Sequence, residues 1–359
     1  MRAALQARLL HAWTGKGALA CLLLPVAWLY GALAAGRRQL FRWAGLRSHR
    51  VDAFVIVVGN VVAGGAGKTP TVIGLVRHLQ ARGHAVGVVS RGYGRDNASC
   101  LAVDACSAPE QVGDEPLLIH RATGAPVWVG RDRWRAANAL LARHPDIRVI
   151  VCDDGLQHYR LWRDLDICVF DDRGCGNGWQ LPAGPLREPW PRRAVAAAGQ
   201  SADRLLVVHT SGLAPDGAFS AQRSLGHTVV DGHGATLTLR ALNAPGRLPL
   251  MALAGIARPE AFFAMLRHAG LVLEQTQSLP DHFDFRLADT AHWAGYQLVC
   301  TEKDAPKLWQ VAPGAFSVGL EQTMEPAFFD AVDRQLAAQI PAPHASTPGA
   351  TRLSSGHGH

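Results

Sequence analysis

The sequence lacks any pair of cysteines at the C-x-x-C spacing that many zinc sites and redox motifs share. Its seven cysteines are scattered along the chain, as Cys21, Cys100, Cys106, Cys152, Cys168, Cys175 and Cys300. This pattern argues against a disulfide framework or a zinc site and favours a reducing compartment. Cys152 and Cys168 lie within apolar runs of strand length, so we expect both to pack in the core.

Nucleic-acid-binding motifs are also missing, although the chain is basic. The net charge is +7 and the isoelectric point is about 9.3, but no zinc-finger or RRM pattern accompanies the basic residues. Many of them follow the most apolar segment, as Arg37, Arg38, Arg42, Arg47 and Arg50. This distribution favours anionic lipid over nucleic acid as the partner, and nothing in the sequence implies an obligatory protein partner. A hydrophobic content of 48% excludes a disordered or fibrous protein.

Charged residues are absent between residues 18 and 35. A helix of this length covers ~27 Å of a hydrocarbon core ~30 Å thick, which predicts an N-terminal membrane-anchoring helix within residues 1–36. Pro25 would kink the helix, and Trp28 and Tyr30 suit the membrane interface, so insertion into one leaflet stays open beside a full span. More arginine follows the segment than precedes it, which places the body of the protein in the cytoplasm.

A glycine-rich run joins a predicted strand at residues 55–58 to a predicted helix. The residues expected to bind nucleotide are Gly64, Gly65, Ala66, Gly67, Lys68, Thr69 and Pro70. Glycines let such a loop curl until its N–H groups face phosphate oxygens, with Lys68 on the β and γ phosphates and Thr69 on Mg²⁺. The G-x-x-x-x-G-K-[ST] spacing fails at Val62, where it requires glycine. An ordinary Gly-rich turn is the alternative, but the flanking patterns favour a phosphate loop.

The predicted phosphate loop also helps to interpret the apolar N-terminal segment. A cleaved signal peptide is the alternative to the membrane anchor, and the small residues 32–36 would suit its cleavage site. A protein that uses ATP needs a compartment that contains ATP. The phosphate loop therefore disfavours the signal peptide.

Apolar runs alternate with helical patterns along the chain, which predicts an α/β fold with a mostly parallel sheet of the P-loop NTPase type. A second, smaller α/β series follows it. The predicted division is a membrane anchor over 1–36, a P-loop domain over 37–215, a smaller α/β domain over 216–340 and a disordered tail over 341–359. The tail is rich in Pro, Ser, Gly and His.

Two pairs of acidic residues lie beside predicted elements. Asp153 and Asp154 end an apolar run, where a P-loop protein places a carboxylate toward Mg²⁺. Asp114 and Glu115 precede another apolar run, and such a pair can divide between a metal and a substrate hydroxyl. Each pair also has a plainer interpretation. Asp153 and Asp154 could form a polar turn after a strand, and Asp114 and Glu115 could be an ordinary helix start.

Arginine and glycine recur in segments 90–95 and 181–189, where the planar guanidinium would suit phosphate. Taken in order, the segments of the chain resemble the tetraacyldisaccharide 4′-kinase family of lipid A biosynthesis. The matching segments are 59–60, 64–70, 90–95, 113–116, 153–158, 177–178, 181–189, 254–259, 280–282 and 301–304. The resemblance covers nearly the whole chain except the tail.

The resemblance implies a bacterial inner-membrane kinase with its catalytic body on the cytoplasmic side. It implies transfer of the γ-phosphate of ATP, with Mg²⁺, to the 4′-hydroxyl of tetraacyldisaccharide 1-phosphate, which gives lipid IVA. The implied catalytic residues are Asp114, His282 and Asp154, and the implied metal ligands are Thr69, Glu115 and Asp153. The implied substrate-binding residues are Arg91, Tyr93, His158, Arg187 and Glu188. Phe283 departs from the family pattern, in which a second histidine is frequent, so His282 is the single candidate in its segment.

Two other functions stay open at this level. A membrane-anchored P-loop GTPase would use residues 171–174, which match D-x-x-G, but residues 301–304 lack the residue between Lys303 and Asp304 that N-K-x-D requires. A membrane-anchored nucleotide-sensing module would bind without turnover. The acidic residues around the phosphate loop argue against it.

Overall fold

The computed structural model describes residues 8–43, 48–95, 99–191, 204–211, 214–281 and 283–339. The strands are β1 (Phe54–Gly59), β2 (Val86–Ser90), β3 (Leu101–Val103), β4 (Val127–Val129), β5 (Val149–Asp153), β6 (Leu165–Phe170), β7 (Leu205–His209), β8 (Phe219–Val230), β9 (Thr236–Thr238), β10 (Leu250–Ala254), β11 (Leu273–Ser278), β12 (Gln297–Thr301) and β13 (Phe316–Met324). The helices are α1 (Ala18–Leu22), α2 (Leu24–Trp43), α3 (Lys68–Ala81), α4 (Pro109–Val112), α5 (Asp114–Thr123), α6 (Arg133–Arg143), α7 (Pro259–His268), α8 (Ala305–Leu308) and α9 (Pro326–Ala337).

The strands join in one sheet with the order β11-β10-β12-β13-β8-β7-β6-β1-β5-β2-β4-β3, and β9 pairs with β8. We call β1 to β7 and their connecting helices the large unit. Its strands pair in parallel except β3, which is antiparallel to β4. All six residues of β1 are buried, as expected for a central strand covered on both faces. The mixed α/β architecture is the one that the sequence predicts.

Helix α3 covers one face of β1. Its buried side chains follow the helical repeat, as Val72, Leu75, Val76 and Leu79. They share one core with alternate residues of the neighbouring parallel strands. This packing fixes the start of α3, at Lys68, beside the carboxyl end of β1.

The small unit consists of β10, β11 and β12, which are parallel, with α7 and α8. Strand β8 links the two units, because Phe219 and Ser220 pair with β7 while residues 221–230 pair with β13. The chain returns to the large unit at its end, where Phe328 and Val332 of α9 join the core beneath α3. The predicted boundary at residue 215 stays a prediction.

The N-terminal segment packs against residues 177–187. Trp13 Nε1 donates a hydrogen bond to Pro182 O at 2.9 Å, and the Tyr30 hydroxyl donates to Arg187 O at 3.0 Å. The opposite surface of α1 and α2 is apolar and exposed, with Leu22, Trp28, Leu29 and Leu33 each more than 60% accessible.

The structure does not support a membrane-spanning anchor in this segment. No helix among the described residues is long and apolar enough to cross a bilayer. The physical reason is local: the helix is interrupted at Leu23, just before Pro25, and α2 then continues through Arg37 and Arg38. The predicted tail, residues 341–359, lies outside the described residues.

We expect Leu75→Ala to lower the free energy of unfolding by about 2–5 kcal/mol, because the truncation leaves a cavity in the core. Leu287→Ala is the matched control, because it removes the same atoms from a side chain that is 79% exposed. Its effect should stay within about 0.5 kcal/mol. Urea denaturation followed by circular dichroism measures both, and equal effects would contradict this description of the core.

Candidate active site

The loop between β1 and α3 has the backbone conformation that its glycines allow. Gly64 and Gly67 have positive φ angles of 97° and 86°, a region that side-chain-bearing residues rarely adopt. Gly67 also precedes the first residue of α3, Lys68. A Cβ atom on Gly67 would collide with the Arg223 guanidinium. The glycines are therefore required both by the turn and by the close approach of an arginine.

The carbonyl oxygens of residues 63–66 all accept hydrogen bonds from side chains. Arg173 donates to Ala63 O at 3.3 Å and to Gly65 O at 2.9 Å, and Asn60 Nδ2 donates to Gly64 O at 3.0 Å. Ala66 O accepts from Arg223 Nη2 at 2.8 Å and lies 3.1 Å from the Thr210 hydroxyl. By contrast, no hydrogen bond within the described part of the chain uses the N–H groups of residues 64–68. Free N–H groups at a helix N-terminus form a site for anions such as phosphate.

Lys68 lies among polar partners at the base of the loop. Its Nζ is 3.5 Å from Asp154 Oδ1 and 3.5 Å from Asn60 Oδ1. Arg187 Nη1 is 3.6 Å from the same Asp154 oxygen. Burial would raise the pKa of Asp154, but Lys68, Arg187 and Arg133 outweigh it and hold that pKa below its usual value. Asp154 is therefore ionised and fixes two cations beside the loop.

Asp153 ends β5, and its carboxylate is almost completely buried. Ser90 Oγ donates to Asp153 Oδ2 at 3.1 Å, whereas Oδ1 has no hydrogen-bond partner among the described residues. Burial, Glu115 and Asp154 together raise the pKa of Asp153 to about 7. A buried oxygen without a donor, close to other carboxylates, suits a divalent cation. The described residues contain no cluster of three or more His, Cys, Asp or Glu side chains that could hold a metal alone, so other ligands must complete such a site.

Two lysines of the small unit contact the first two residues of α5. Lys307 Nζ is 2.8 Å from Asp114 Oδ2, and Lys303 Nζ is 3.7 Å from Glu115 Oε1. Lys303 also pairs with Asp281 at 3.2 Å. Burial would lower the pKa of Lys303, but Glu115 and Asp281 raise it above its usual value. These ion pairs join the two units beside the phosphate loop, and the sequence patterns assigned no role to either lysine.

His282 lies outside the described residues. Its neighbour Asp281 contacts Lys303, so this segment reaches the small-unit side of the Asp114 and Glu115 pair. Phe283 stacks edge-on with Phe285 and belongs to the hydrophobic packing of the small unit.

The structure separates the five predicted substrate-binding residues into distinct environments. Arg91 and Tyr93 are exposed, and Tyr93 is 65% accessible. Arg187 lies at the site beside Asp154. Glu188 is buried and accepts a hydrogen bond from Gln157 Nε2 at 2.8 Å. Burial and the nearby Arg133 lower the pKa of His158 to about 4, so its imidazole is neutral at pH 7.

The acidic residues of the D-x-x-G pattern serve other contacts. Asp171 accepts hydrogen bonds from the Arg173 guanidinium at 3.0 Å. Asp172 forms a two-nitrogen ion pair with Arg258 of the small unit. Arg173 and Arg223 thus contact the phosphate loop, and Arg258 joins the same cluster through Asp171 and Asp172. No sequence pattern pointed to Arg223, and the other two lay in segments noted for other reasons.

Comparison with known proteins agrees with this geometry. Residues 19–337 match the family described as tetraacyldisaccharide-1-P 4′-kinase. A tetraacyldisaccharide 4′-kinase of Acidovorax sp. (strain JS42) is 52% identical over 339 residues, which cover 94% of this chain and 96% of the relative. One of Polaromonas sp. (strain JS666 / ATCC BAA-500) is 53% identical over 357 residues, covering 98% and 99%.

A solved structure shares the fold. The crystal structure of "apo" form LpxK from Aquifex aeolicus in complex with ATP superimposes with a TM-score of 0.72 at 26% identity, covering 88% of this chain and 99% of that one. Together with the family match, this does not favour the GTPase or sensor alternative. The chain belongs to the tetraacyldisaccharide 4′-kinase family.

Proposed function

We propose that the protein transfers the γ-phosphate of ATP to the 4′-hydroxyl of tetraacyldisaccharide 1-phosphate and so forms lipid IVA in lipid A biosynthesis. The observation that carries the proposal is the loop of residues 63–67, whose carbonyl groups all accept hydrogen bonds, while the N–H groups of residues 64–68 have no hydrogen-bond partner among the described residues. Such a loop, followed by Lys68 at a helix start, supports a P-loop type of nucleotide binding. The family match supplies the lipid acceptor.

The ATP phosphates would lie on the N–H groups of the loop, with Pro70 in the first turn of α3 behind it. The Lys68 ammonium group, which Asp154 holds beside the loop, would bind the β and γ phosphates. A cation held in place before the substrate arrives loses less conformational entropy when it binds. Arg187 shares the Asp154 carboxylate and would add a second cation on the same side.

Thr69, Asp153 and Glu115 would hold Mg²⁺, which when bound would supply positive charge against the negative charge of the phosphates. The fit rests on Asp153, whose Oδ1 lacks a hydrogen-bond partner in the described chain and whose pKa is raised by burial and by Glu115. Phosphate oxygens and water would complete the coordination, as is usual for this ion.

Asp114 would orient the 4′-hydroxyl and accept its proton. A carboxylate with a pKa near ~3.9 is too weak a base to remove that proton in the ground state, but it can accept the proton late, once bonding to phosphorus has made the hydroxyl more acidic. Lys307 holds the Asp114 side chain in place through its 2.8 Å contact with Oδ2. His282 would complete the catalytic pair from the small unit. The exposed Arg91 and Tyr93 would contact the lipid substrate. His158 and Glu188 lie in other surroundings and would support the site from there.

Membrane attachment would come from the exposed apolar side chains of α1 and α2, two helices that the Tyr30 hydrogen bond to Arg187 O helps to hold on the protein. Such side chains, followed by Arg37 and Arg38, suit insertion into one leaflet of an anionic membrane. The substrate is itself a lipid, and the protein would take it from the cytoplasmic side of the bacterial inner membrane. The reaction needs no protein partner.

The reaction is tested by following labelled γ-phosphate from ATP to tetraacyldisaccharide 1-phosphate in mixed micelles. We expect a labelled lipid product, and a loss of at least about 100-fold in kcat/KM for Lys68→Ala. Arg82→Ala, beyond the other end of the same helix, should retain activity. A protein that yields no labelled lipid but hydrolyses GTP would contradict the proposal.

The role of Asp114 is tested by Asp114→Asn, which keeps the size of the side chain and removes its basicity. We expect kcat to fall about 100- to 10,000-fold while the KM for ATP changes little. Asp146→Asn is the control, because Asp146 is exposed before β5. Steady-state kinetics on the lipid substrate decide, and a wild-type kcat for Asp114→Asn would remove Asp114 from the mechanism.

Interfacial binding is tested by replacing Trp28, Leu29 and Leu33 together with serine. We expect at least about tenfold weaker partitioning into vesicles that contain phosphatidylglycerol, with ATP binding unchanged. Val272→Ser and Leu287→Ser remove exposed apolar side chains from the small unit and should leave partitioning unchanged. Vesicle sedimentation measures all variants. Equal partitioning of the triple variant and the wild type would show that another surface attaches the protein.

A further inference from the structure

The phosphate loop departs from the usual spacing at Val62, which is buried where that spacing requires glycine. Val62 instead forms an isolated bridge with Leu186. A loop with this departure needs another means of holding its peptide groups in one orientation. Two arginines outside the loop provide such contacts.

Arg173 approaches one side of the loop. Its Nε is 3.0 Å from both oxygens of Asp171, a carboxylate that is almost fully buried. With the guanidinium held there, Nη1 and Nη2 donate to Ala63 O and Gly65 O. One planar group therefore joins a fixed carboxylate to two carbonyl groups of the loop.

Arg223 approaches from β8, the strand that links the two units. Its Nη2 donates to Ala66 O at 2.8 Å and also contacts the Thr210 hydroxyl, while Nε lies 3.4 Å from Gln322 Oε1 on β13. Thr210 is 1% exposed and follows β7. The guanidinium thus rests in a buried frame made by the last strand of the large unit and the strand pair β8 and β13.

Peptide geometry links these contacts to phosphate binding. In a trans peptide the carbonyl group and the following N–H group point in opposite directions. Holding the carbonyl groups of residues 63, 65 and 66 on the outer side therefore turns the N–H groups of residues 64, 66 and 67 toward the opposite side. Those are the groups that the proposed function requires for the ATP phosphates.

We propose that Arg173 and Arg223 are positioning residues of the phosphate loop, which fix the direction of its N–H groups by binding its carbonyl groups from behind. The inference rests on the proposed function, because it assumes that the loop binds nucleotide. It assigns neither arginine a direct phosphate contact. Arg173 uses Nε, Nη1 and Nη2 on Asp171 and on loop carbonyl groups.

Substitutions that separate charge from geometry test the inference. Arg173→Lys retains the positive charge but cannot bind a carboxylate and two carbonyl groups in one plane. We expect both Arg173→Lys and Arg173→Gln to weaken binding of a non-hydrolysable ATP analogue with Mg²⁺ by about 10- to 100-fold. If Arg173→Lys binds like the wild type while Arg173→Gln binds weakly, the charge acts on phosphate directly and the inference is wrong.

A neutral substitution provides an independent measurement. Thr210→Val removes the hydroxyl that contacts Arg223 and Ala66 O without changing any charge. We expect analogue binding about 3- to 10-fold weaker, because Ala66 O loses a hydrogen-bond donor and the Arg223 guanidinium loses a partner. Wild-type affinity for Thr210→Val would overturn the role assigned to Arg223, even if an Arg173 variant failed to fold.

The matched control is Arg77, an exposed arginine on α3 that donates through Nε and Nη2 to the carbonyl of Ala122. Arg77→Lys and Arg77→Gln should bind the analogue like the wild type. Isothermal titration calorimetry without lipid gives each dissociation constant on the full chain, and thermal melting confirms folding. No binding by the wild type would refute the proposed function itself, whereas wild-type binding by all Arg173 and Thr210 variants would refute this inference alone.

Discussion

The parallel pairing of β1 with β5 is the constraint on which the site depends. It places Val58 opposite Asp153, so the chain leaves both strands at the same edge of the sheet. The phosphate loop follows one strand, and Asp153 and Asp154 end or follow the other. In α/β folds, ligands usually bind in the crevice at the carboxyl ends of parallel strands, at the point where the strand order reverses. A one-residue slip would turn Asp153 to the opposite face of the sheet and separate it from Ser90.

The second requirement is contact between the two units. Lys303 and Lys307 of the small unit form ion pairs with Glu115 and Asp114 of the large unit. Arg258 of the small unit forms an ion pair with Asp172 of the large unit. The lysine ion pairs are mostly buried, whereas the Arg258 pair is exposed. In both sets the small unit supplies the cation and the large unit supplies the carboxylate. The nucleotide loop, the candidate metal ligands and the candidate base thus form one site only when the units are together.

Sequence patterns predicted the parts of this arrangement that depend on local order along the chain. The strand, loop and helix around Lys68 follow from β-branched residues, glycines and a helical repeat, and the position of Asp153 at the end of β5 follows from the apolar run that it ends. Lys307 and Arg223 could not be predicted, because their partners lie 193 and 157 residues away and only the tertiary fold brings them together. The absence of charge over residues 18–35 predicted one continuous apolar helix, but it does not report where a helix breaks or ends. In the structure the helix breaks at Leu23, and α2 continues past the apolar segment to Arg37 and Arg38.

Strand β8 belongs to both units, and this sharing has an evolutionary consequence. If the chain were divided before β8, strand β7 would become an unpaired edge of the large unit. If β8 were removed, β13 would lose its antiparallel partner. Helix α9 follows the small unit along the chain and completes the core of the large unit. Neither half could therefore be exchanged by recombination as a self-sufficient module.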